Sequence, residues 1–160
     1  MTSESDPGSA ANFEVGEVVR DFCDPASGLR GLVVRGGMSW CAYVGAPNEH
    51  ALHGFEELRF DCHHGVNYTN QGEDSAFLPH GWYWWGWDYA HAGDATIMPP
   101  ELAQFYERLA AGRKLKVWTL DEVAEEVLDV LMSLRVAIEA NEKLATVALK
   151  RAVPASKKQS

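Results

Sequence analysis

The sequence predicts an α+β fold, in which a small, mainly antiparallel β-sheet carries a long C-terminal amphipathic helix. Three observations support this class. Two runs of alternating polarity flank Gly36-Gly37, a tryptophan-rich run covers residues 81–87, and an apolar stripe of helical period follows Thr119. Alternation between two faces is typical of strands, whereas a repeat of three and four residues is typical of a helix.

The chain has the length of a single domain. It contains 160 residues, and its hydrophobic fraction of 46% is enough to form a core. We expect the domain to cover residues 13–150. Residues 1–12 and 151–160 are rich in small, polar and charged side chains, so they should form disordered tails.

A β-hairpin is predicted around the two glycines. Residues 32–35 and 40–44 alternate between two faces on either side of the turn, as paired antiparallel strands do. A further strand is expected within residues 15–22, and another at Leu58–Cys62. The loop at residues 70–80 is long enough to act as a lid.

The tryptophan-rich run predicts a buried strand. Tryptophan and tyrosine favour pleated surfaces, and two glycines, Gly81 and Gly86, disfavour a helix here. Because half of an alternating strand faces inward, we expect one of two pairs to be buried. These pairs are Trp85 with Trp87, or Trp82 with Trp84. The strand at Leu58–Cys62 should lie beside this one.

The last predicted element is the long helix. Thr119 and Glu122 form a capping box at its start. The stripe that follows consists of Leu120, Ala124, Val127, Leu131, Leu134 and Ile138. It could pack across the sheet or form a homodimer seam along residues 119–148, with Asn141 setting the register. A shorter helix is expected at Glu101–Ala111, after two prolines.

The composition excludes several classes of protein. A formal net charge of −9 argues against broad nucleic-acid binding, which requires lysine and arginine to neutralise phosphates. The three cysteines form no Cys-x-x-Cys pair, which is typical of reduced thiols in a cytoplasm. The polar N-terminus resembles no secretory signal, and no apolar run is long enough to span a membrane. We therefore expect a cytoplasmic protein.

Polar residues follow the tryptophan-rich strand directly. Asp88, His91 and Asp94 are three residues apart, so they would share one side of a helical turn. If this segment is irregular instead, Gly93 allows a tight bend. In both cases two carboxylates and an imidazole can converge where the strand ends.

Two sequence blocks resemble a family of small proteins from tailed bacteriophages and prophages. The blocks are Asp61-Cys62-His63-His64-Gly65-Val66-Asn67-Tyr68-Thr69 and Trp84-Trp85-Gly86-Trp87-Asp88-Tyr89-Ala90-His91-Ala92-Gly93-Asp94. The corresponding family blocks read HGG-(L/I)-T-(Y/F) and WW-x-G-F-D-x-A-H-x-G-D. The stretches at residues 42–45 and 50–54 are similar to two further family blocks, and Trp118–Val123 is similar to the start of its C-terminal helix.

This resemblance implies a bacteriophage origin and a set of polar positions, but no particular reaction. The positions that match the family are His50, His63, Asp88, His91 and Asp94. The chain departs from the family at three positions. His64 replaces a glycine, Asn67 replaces a threonine, and Cys62 replaces an aliphatic residue.

One hypothesis is a metal site formed by His63, Asp88, His91 and Asp94. Imidazole and carboxylate ligands suit zinc or manganese, and a catalytic site needs about three of them plus an open position for water. Such water could attack a phosphate ester. The His-Glu-x-x-His motif is absent, so the spacing matches no standard metal site.

A second hypothesis needs no metal. His63 and His91 would act as general base and acid, and Asp88 or Asp94 would orient one of the imidazoles. The alternative to both hypotheses is a structural network in which Asp88 and Asp94 cap turns and His91 is satisfied by a backbone carbonyl. Cys62 and His63 are adjacent on an expected strand and point to opposite faces, which disfavours a cysteine nucleophile.

A third hypothesis is a binding protein with an aromatic surface. Trp84, Tyr68 and His50 are its candidate ligand-binding residues, since rings beside polar groups suit stacking. The function that we expect is a phage-encoded accessory protein whose His/Asp site acts on or binds a small polar ligand, such as a nucleotide, in the host cytoplasm. The alternative is a non-enzymatic inhibitor that binds a host protein through the aromatic surface.

Overall fold

The computed structural model describes residues 8–97, 105, 108 and 113–157, with side chains described as far as residue 142 in the last helix. It confirms the α+β class, with a five-stranded antiparallel sheet and one long helix packed on it. The elements are β1 (Val18–Asp24), β2 (Leu29–Arg35), β3 (Trp40–Pro47), β4 (Tyr68–Gln71), β5 (Trp82–Asp88) and α1 (Leu120–Lys157). The strand order is β1-β2-β3-β5-β4.

The predicted hairpin is confirmed as β2 and β3. Arg35 pairs with Trp40 at its closed end, and the backbone N–H of Gly36 donates to the carbonyl of Ser39 at 2.8 Å. The strand expected within residues 15–22 is β1, which starts at Val18 and pairs with β2. Local alternation and turn residues were therefore sufficient to define this half of the sheet.

The predicted strand at Leu58–Cys62 is wrong, because this segment is irregular and β5 lies between β3 and β4. The segment forms local turns instead of a ladder. The N–H of Leu58 donates to the carbonyl of Phe55, and that of Gly65 donates to the carbonyl of Cys62. Leu58 and Cys62 still pack against the main core, which explains why their sequence resembles a half-buried strand.

The expectation that one pair of tryptophans is buried is confirmed for Trp85 and Trp87, but Trp84 of the other pair is buried as well. Trp84, Trp85 and Trp87 are each at most 1% exposed, and Trp82 is half-buried. Trp85 and Trp87 face the core under α1, whereas Trp84 packs with Leu78 in a separate cluster on the opposite face of the sheet. The sheet is therefore covered on both sides.

The loop at residues 70–80, predicted to act as a lid, provides this second cover. It begins within β4 and continues through a 3-10 turn at Gly72–Asp74. The indole N–H of Trp84 donates to the carbonyl of Pro79 at 3.0 Å. A side chain at Gly72 would collide with that same carbonyl, so the loop and β5 are in close contact. The loop is packed against the face of the sheet that carries Trp84, and it does not cover the predicted site residues His63 and His91.

Helix α1 begins as predicted. The N–H of Glu122 donates to the hydroxyl of Thr119 at 3.2 Å, and the N–H of Thr119 donates to the Glu122 carboxylate at 3.0 Å. The predicted stripe packs onto β2 and β3, with Val127 fully buried. A Cβ at Gly31 would lie 2.4 Å from Val127, so only glycine allows the helix this close to β2.

Some predictions concern the ends of the chain. Residues 1–7 and nearly all of the helix expected at Glu101–Ala111 lie outside the described residues. Ala10–Asn12 forms a 3-10 turn in which Ala10 is buried, and α1 continues to Lys157. The described structure thus extends beyond both predicted domain boundaries. Within its described part, the chain contains no helix both long and apolar enough to cross a bilayer.

Candidate functional site

Two turns bring the histidine-bearing blocks together. After β5, the chain turns at residues 91–94, where the N–H of Asp94 donates to the carbonyl of His91 at 2.9 Å. Before β4, a second turn links Gly65 to Cys62. His64 in this second turn has a left-handed φ of 58°, which is unfavourable for a residue with a side chain. The structure thus places His63, His64 and His91 at one end of the sheet.

Asp94 is the centre of this cluster. It is only 4% exposed and accepts three hydrogen bonds through both of its oxygens. Oδ2 is 2.7 Å from His63 Nε2 and 3.0 Å from the N–H of His91, and Oδ1 accepts from the Trp118 indole at 2.8 Å. Burial alone would raise the pKa of Asp94, but these hydrogen bonds outweigh it and lower the pKa.

The protonation of His63 follows from Asp94. An ionised carboxylate only accepts hydrogen bonds, so His63 Nε2 must carry a hydrogen. In a neutral imidazole this leaves Nδ1 with the lone pair. His63 therefore presents one nitrogen that can accept a proton or bind a cation, while Asp94 fixes the orientation of the ring.

His63 is also held by the core beneath it. Its ring stacks on Tyr89, with centroids 4.9 Å apart and planes 6° apart. Its backbone N–H donates to Glu126 Oε1 at 3.0 Å, and the same oxygen accepts from the Trp87 indole and the Tyr89 hydroxyl. The position of His63 is therefore set by buried elements, β5 and α1.

His91 and Asp88 form a second pair. His91 Nε2 lies 3.2 Å from Asp88 Oδ1, a distance that permits an ion pair if the imidazole is protonated. The angles do not suit a hydrogen bond, and Nε2 is buried without a hydrogen-bond partner. The carboxylate of Asp88 instead accepts from the N–H of Ala90 and the amide of Asn67. His91 Nε2 thus has no hydrogen-bond partner, although the Asp88 carboxylate lies beside it.

His64 is the residue that sequence reasoning missed. Its exposed ring stacks on His91, with centroids 4.2 Å apart, and touches the His63 ring edge-on at 4.5 Å. One donor atom each from His63, His64 and Asp94 lie within 4.8 Å of one another. The family pattern has glycine at position 64, so the only signal for His64 was its place beside His63.

The structure divides the predicted metal set into two pairs. His63 is hydrogen-bonded to Asp94, and His91 lies beside Asp88. All four predicted residues are in one region, because the rings of His63 and His91 are 5.9 Å apart. His64 contacts both rings and connects the two pairs.

His50, one of the predicted ligand-binding residues, lies elsewhere. Its Nε2 is 2.7 Å from the carbonyl of Ser27, and its Nδ1 accepts from the N–H of Leu52 at 3.0 Å. His50 borders α1 at Ile138, whereas His63 contacts α1 at Glu126, roughly 18 Å away along the helix. Both nitrogens of His50 are used in holding the loop after β3.

The predicted ligand-binding aromatic residues are on the other face of the sheet. Trp84 has no exposed surface, so it cannot stack on a ligand in this structure. Tyr68 packs edge-on against Tyr43 and borders a separate cavity of about 320 Å³. Neither side chain is part of the histidine cluster.

Cys62 is unsuited to act as a nucleophile. Burial, together with the charge of Glu126, raises the pKa of its thiol to about 12. The thiol therefore stays protonated at neutral pH and behaves as a small apolar group.

The cluster is reachable from solvent. His63 borders an open cleft of about 460 Å³ between the turn at residues 61–63 and α1. The cleft is acidic, since Asp61, Glu126 and Asp129 also line it. Such a cleft favours cations over anions.

No protein-family model matches the chain, and no curated protein or solved structure is significantly similar to it.

Proposed function

We propose that this protein binds a divalent transition metal, zinc or manganese, through His63, His64 and Asp94, and that the site hydrolyses or binds a small polar molecule. One observation carries the proposal. Three donor atoms of types that bind these metals lie within 4.8 Å of one another, and one of the three residues, His63, lines a cleft.

The donor atoms must rearrange to bind one ion. Ligands about 2.1 Å from a tetrahedral zinc ion are roughly 3.4 Å apart, whereas the three donor atoms lie within 4.8 Å of one another. His63 Nε2 and Asp94 Oδ2 are 2.7 Å apart and share a hydrogen, which an ion bound to both atoms would displace. Asp94 is fixed by Trp118 and His63 by Tyr89, whereas His64 is exposed, so His64 is the ligand that moves furthest.

The neighbouring pair supplies proton transfer. A divalent ion held by His63, His64 and Asp94 would supply Lewis-acid activation of water and of a phosphate ester. His91 Nε2 would accept a proton from the attacking water and return it to the departing oxygen, and Asp88 beside it would stabilise the imidazolium in between. Water would thereby be added across one P–O bond.

Charge supports the need for a metal. The chain carries a net charge of −9 and its cleft is lined by carboxylates, so a phosphate ester such as a nucleotide would be repelled by the protein alone. A divalent cation offsets this repulsion at the point of reaction. Metal-free acid–base catalysis by the histidines would lack this compensation.

The biological setting rests on the sequence. The two motif blocks support a phage-encoded accessory protein, and the reduced cysteines support the host cytoplasm as its location.

Replacing His64 by glycine tests the metal site. The tag-free wild-type protein should bind about one zinc or manganese ion per chain in mass-spectrometric metal analysis and calorimetric titration. The His64→Gly variant should bind the ion at least about tenfold more weakly, because even residues that only orient a ligand contribute this much. Glycine also suits the left-handed backbone at this position, so the variant should fold at least as well as the wild type.

His80→Ala is the matched control, since His80 is an exposed histidine of the loop before β5. It should bind the metal as the wild type does. Equal affinity in His64→Gly and the wild type, or no saturable binding in either, would contradict the metal site. Saturable binding without metal-dependent hydrolysis in a panel of phosphate esters would leave a binding site and reject the hydrolase.

A second candidate, an interaction protein, is favoured by an exposed apolar stripe on α1. Leu128, Met132 and Val136 are 47%, 51% and 56% exposed and recur every four residues, on the side of α1 away from the sheet. This stripe differs from the predicted seam, which the sheet covers.

Replacing Met132 by glutamate tests whether this stripe forms a homodimer. If the stripe joins two copies, light scattering should give twice the chain mass for the wild type, and Met132→Glu should raise the dissociation constant at least about tenfold. Ala137→Glu, on another exposed side of α1, is the control and should leave the mass unchanged. A monomeric wild type at high concentration would reject the homodimer.

A further inference from the structure

A separate cavity lies next to the histidine cluster. Its volume is about 300 Å³, and it shares two residues, Tyr89 and Trp118, with the surroundings of His63. The largest apolar side chains in its lining are Trp40, Tyr89, Ile97, Val117 and Trp118. None of the described lining residues is a histidine, an acid or a base. The cavity is therefore chemically distinct from the cleft at His63.

One polar group in the cavity lining lacks a partner. The hydroxyls of Ser9, Ser39 and Thr119 each take part in a hydrogen bond with the protein. Thr96 also lines the cavity, and its Oγ1 is buried without a hydrogen-bond partner. An unsatisfied buried hydroxyl is costly, and a rotation of the Thr96 side chain would turn Oγ1 towards a polar atom of a ligand in the cavity.

We propose that this cavity binds a neutral, planar aromatic group, of a size between phenol and indole, that exchanges one hydrogen bond with Thr96. The walls provide three aromatic rings, which favour stacked and edge-on contacts with another ring. A charged ligand would lose its hydration without gaining a countercharge from the described lining. The volume is ample, since a cavity of about 150 Å³ already accommodates benzene.

The two sites are physically linked. The Trp118 indole donates a hydrogen bond to Asp94, and the Tyr89 ring stacks on the His63 ring. An occupant of the cavity would touch both of these rings. The proposal does not rest on the metal site, because ring binding needs no metal and can be measured in its absence.

The test uses two probes of nearly equal shape, 4-fluorophenol and 4-fluorotoluene, titrated by fluorine NMR in the presence of EDTA. Both should bind the wild-type protein saturably at one site, and the phenol should bind more tightly. Thr96→Val should weaken the binding of 4-fluorophenol about fivefold, which corresponds to the loss of one hydrogen bond. The binding of 4-fluorotoluene should be unchanged or tighter. Ala95→Leu, which adds bulk inside the cavity lining, should weaken both probes at least about tenfold.

Val117→Trp is the second blocking variant, because Val117 lines the cavity but is 72% exposed and so tolerates a larger side chain. It should also weaken both probes, whether or not Ala95→Leu folds. The proposal is overturned if neither probe saturates the wild type. It is equally overturned if Thr96→Val binds both probes as the wild type does, or if both probes bind Val117→Trp with unchanged affinity.

Discussion

Replacing Asp94 by asparagine should lower the free energy of unfolding by about 2–4 kcal/mol. Asp94 accepts hydrogen bonds from three donors that are distributed over both of its oxygens. Asparagine has only one acceptor oxygen, and its amide group would face a donor. If the asparagine oxygen accepts the hydrogen bond from the Trp118 indole, the bonds from His63 and from the His91 N–H are lost. If it accepts those two bonds, the bond from Trp118 is lost. At least one buried donor is left unpaired in either orientation.

Urea denaturation in EDTA measures this loss without interference from bound metal. The pH dependence gives a second measurement. Because the folded pKa of Asp94 is lowered, the ionised carboxylate adds stability above its ordinary value of 3.8, and this contribution disappears as the pH falls through the folded pKa. The difference in the free energy of unfolding between the wild type and Asp94→Asn should therefore be constant near neutral pH and should become smaller below pH 3.8.

Asp88→Asn is the matched control, since Asp88 is about one-third exposed and its two bonds come from Asn67 and the N–H of Ala90. We expect this variant to lose less than about 1 kcal/mol. An Asp94→Asn variant as stable as Asp88→Asn would show that the three donors find other partners, and that Asp94 does not organise the site.

Much of the fold was predictable because its signals are local. The hairpin of β2 and β3 follows from alternation around two glycines, and α1 follows from the capping box at Thr119. Each depends on residues within about one turn or one strand of each other. The family resemblance was not needed for either prediction.

The predictions failed in segments whose structure is set by tertiary packing. Leu58–Cys62 alternates because two of its side chains pack on the core, but its backbone bonds are local turns. Trp84 is buried because the chain after β4 folds back over the second face of the sheet. Neither fact can be read from the periodicity of the segment itself.

The site was predictable in part. The histidines and aspartates of the two blocks do meet, as their position at the end of β5 suggested, but their pairing required the structure. His64 was discounted because the family has glycine there. Glu126 was overlooked because a lone acid on a helix is usually solvated, whereas here its Oε1 accepts from three donors.

Replacing Glu126 should have the second large effect on stability. Glu126→Leu should lower the free energy of unfolding by about 3–5 kcal/mol, because it removes the acceptor for the Tyr89 hydroxyl and for the backbone N–H of His63. It leaves the Trp87 indole only its bond to the Tyr89 hydroxyl at 3.1 Å. Trp87 and Tyr89 are each 1% exposed, so water cannot replace the lost partner without opening the core. The measurement is again urea denaturation in EDTA.

Glu126→Gln separates geometry from charge. All three donors meet at the same oxygen, Oε1, so the amide carbonyl of glutamine can occupy that position and keep every bond. Only the charge is lost, and we expect a loss of about 1–2 kcal/mol. This is the reverse of Asp94, whose donors are split between two oxygens. Glu125→Leu, one residue earlier and exposed, should change stability by less than about 0.5 kcal/mol. If Glu126→Gln proved as damaging as Glu126→Leu, the negative charge rather than the shared acceptor would be what holds β5, the His63 turn and α1 together.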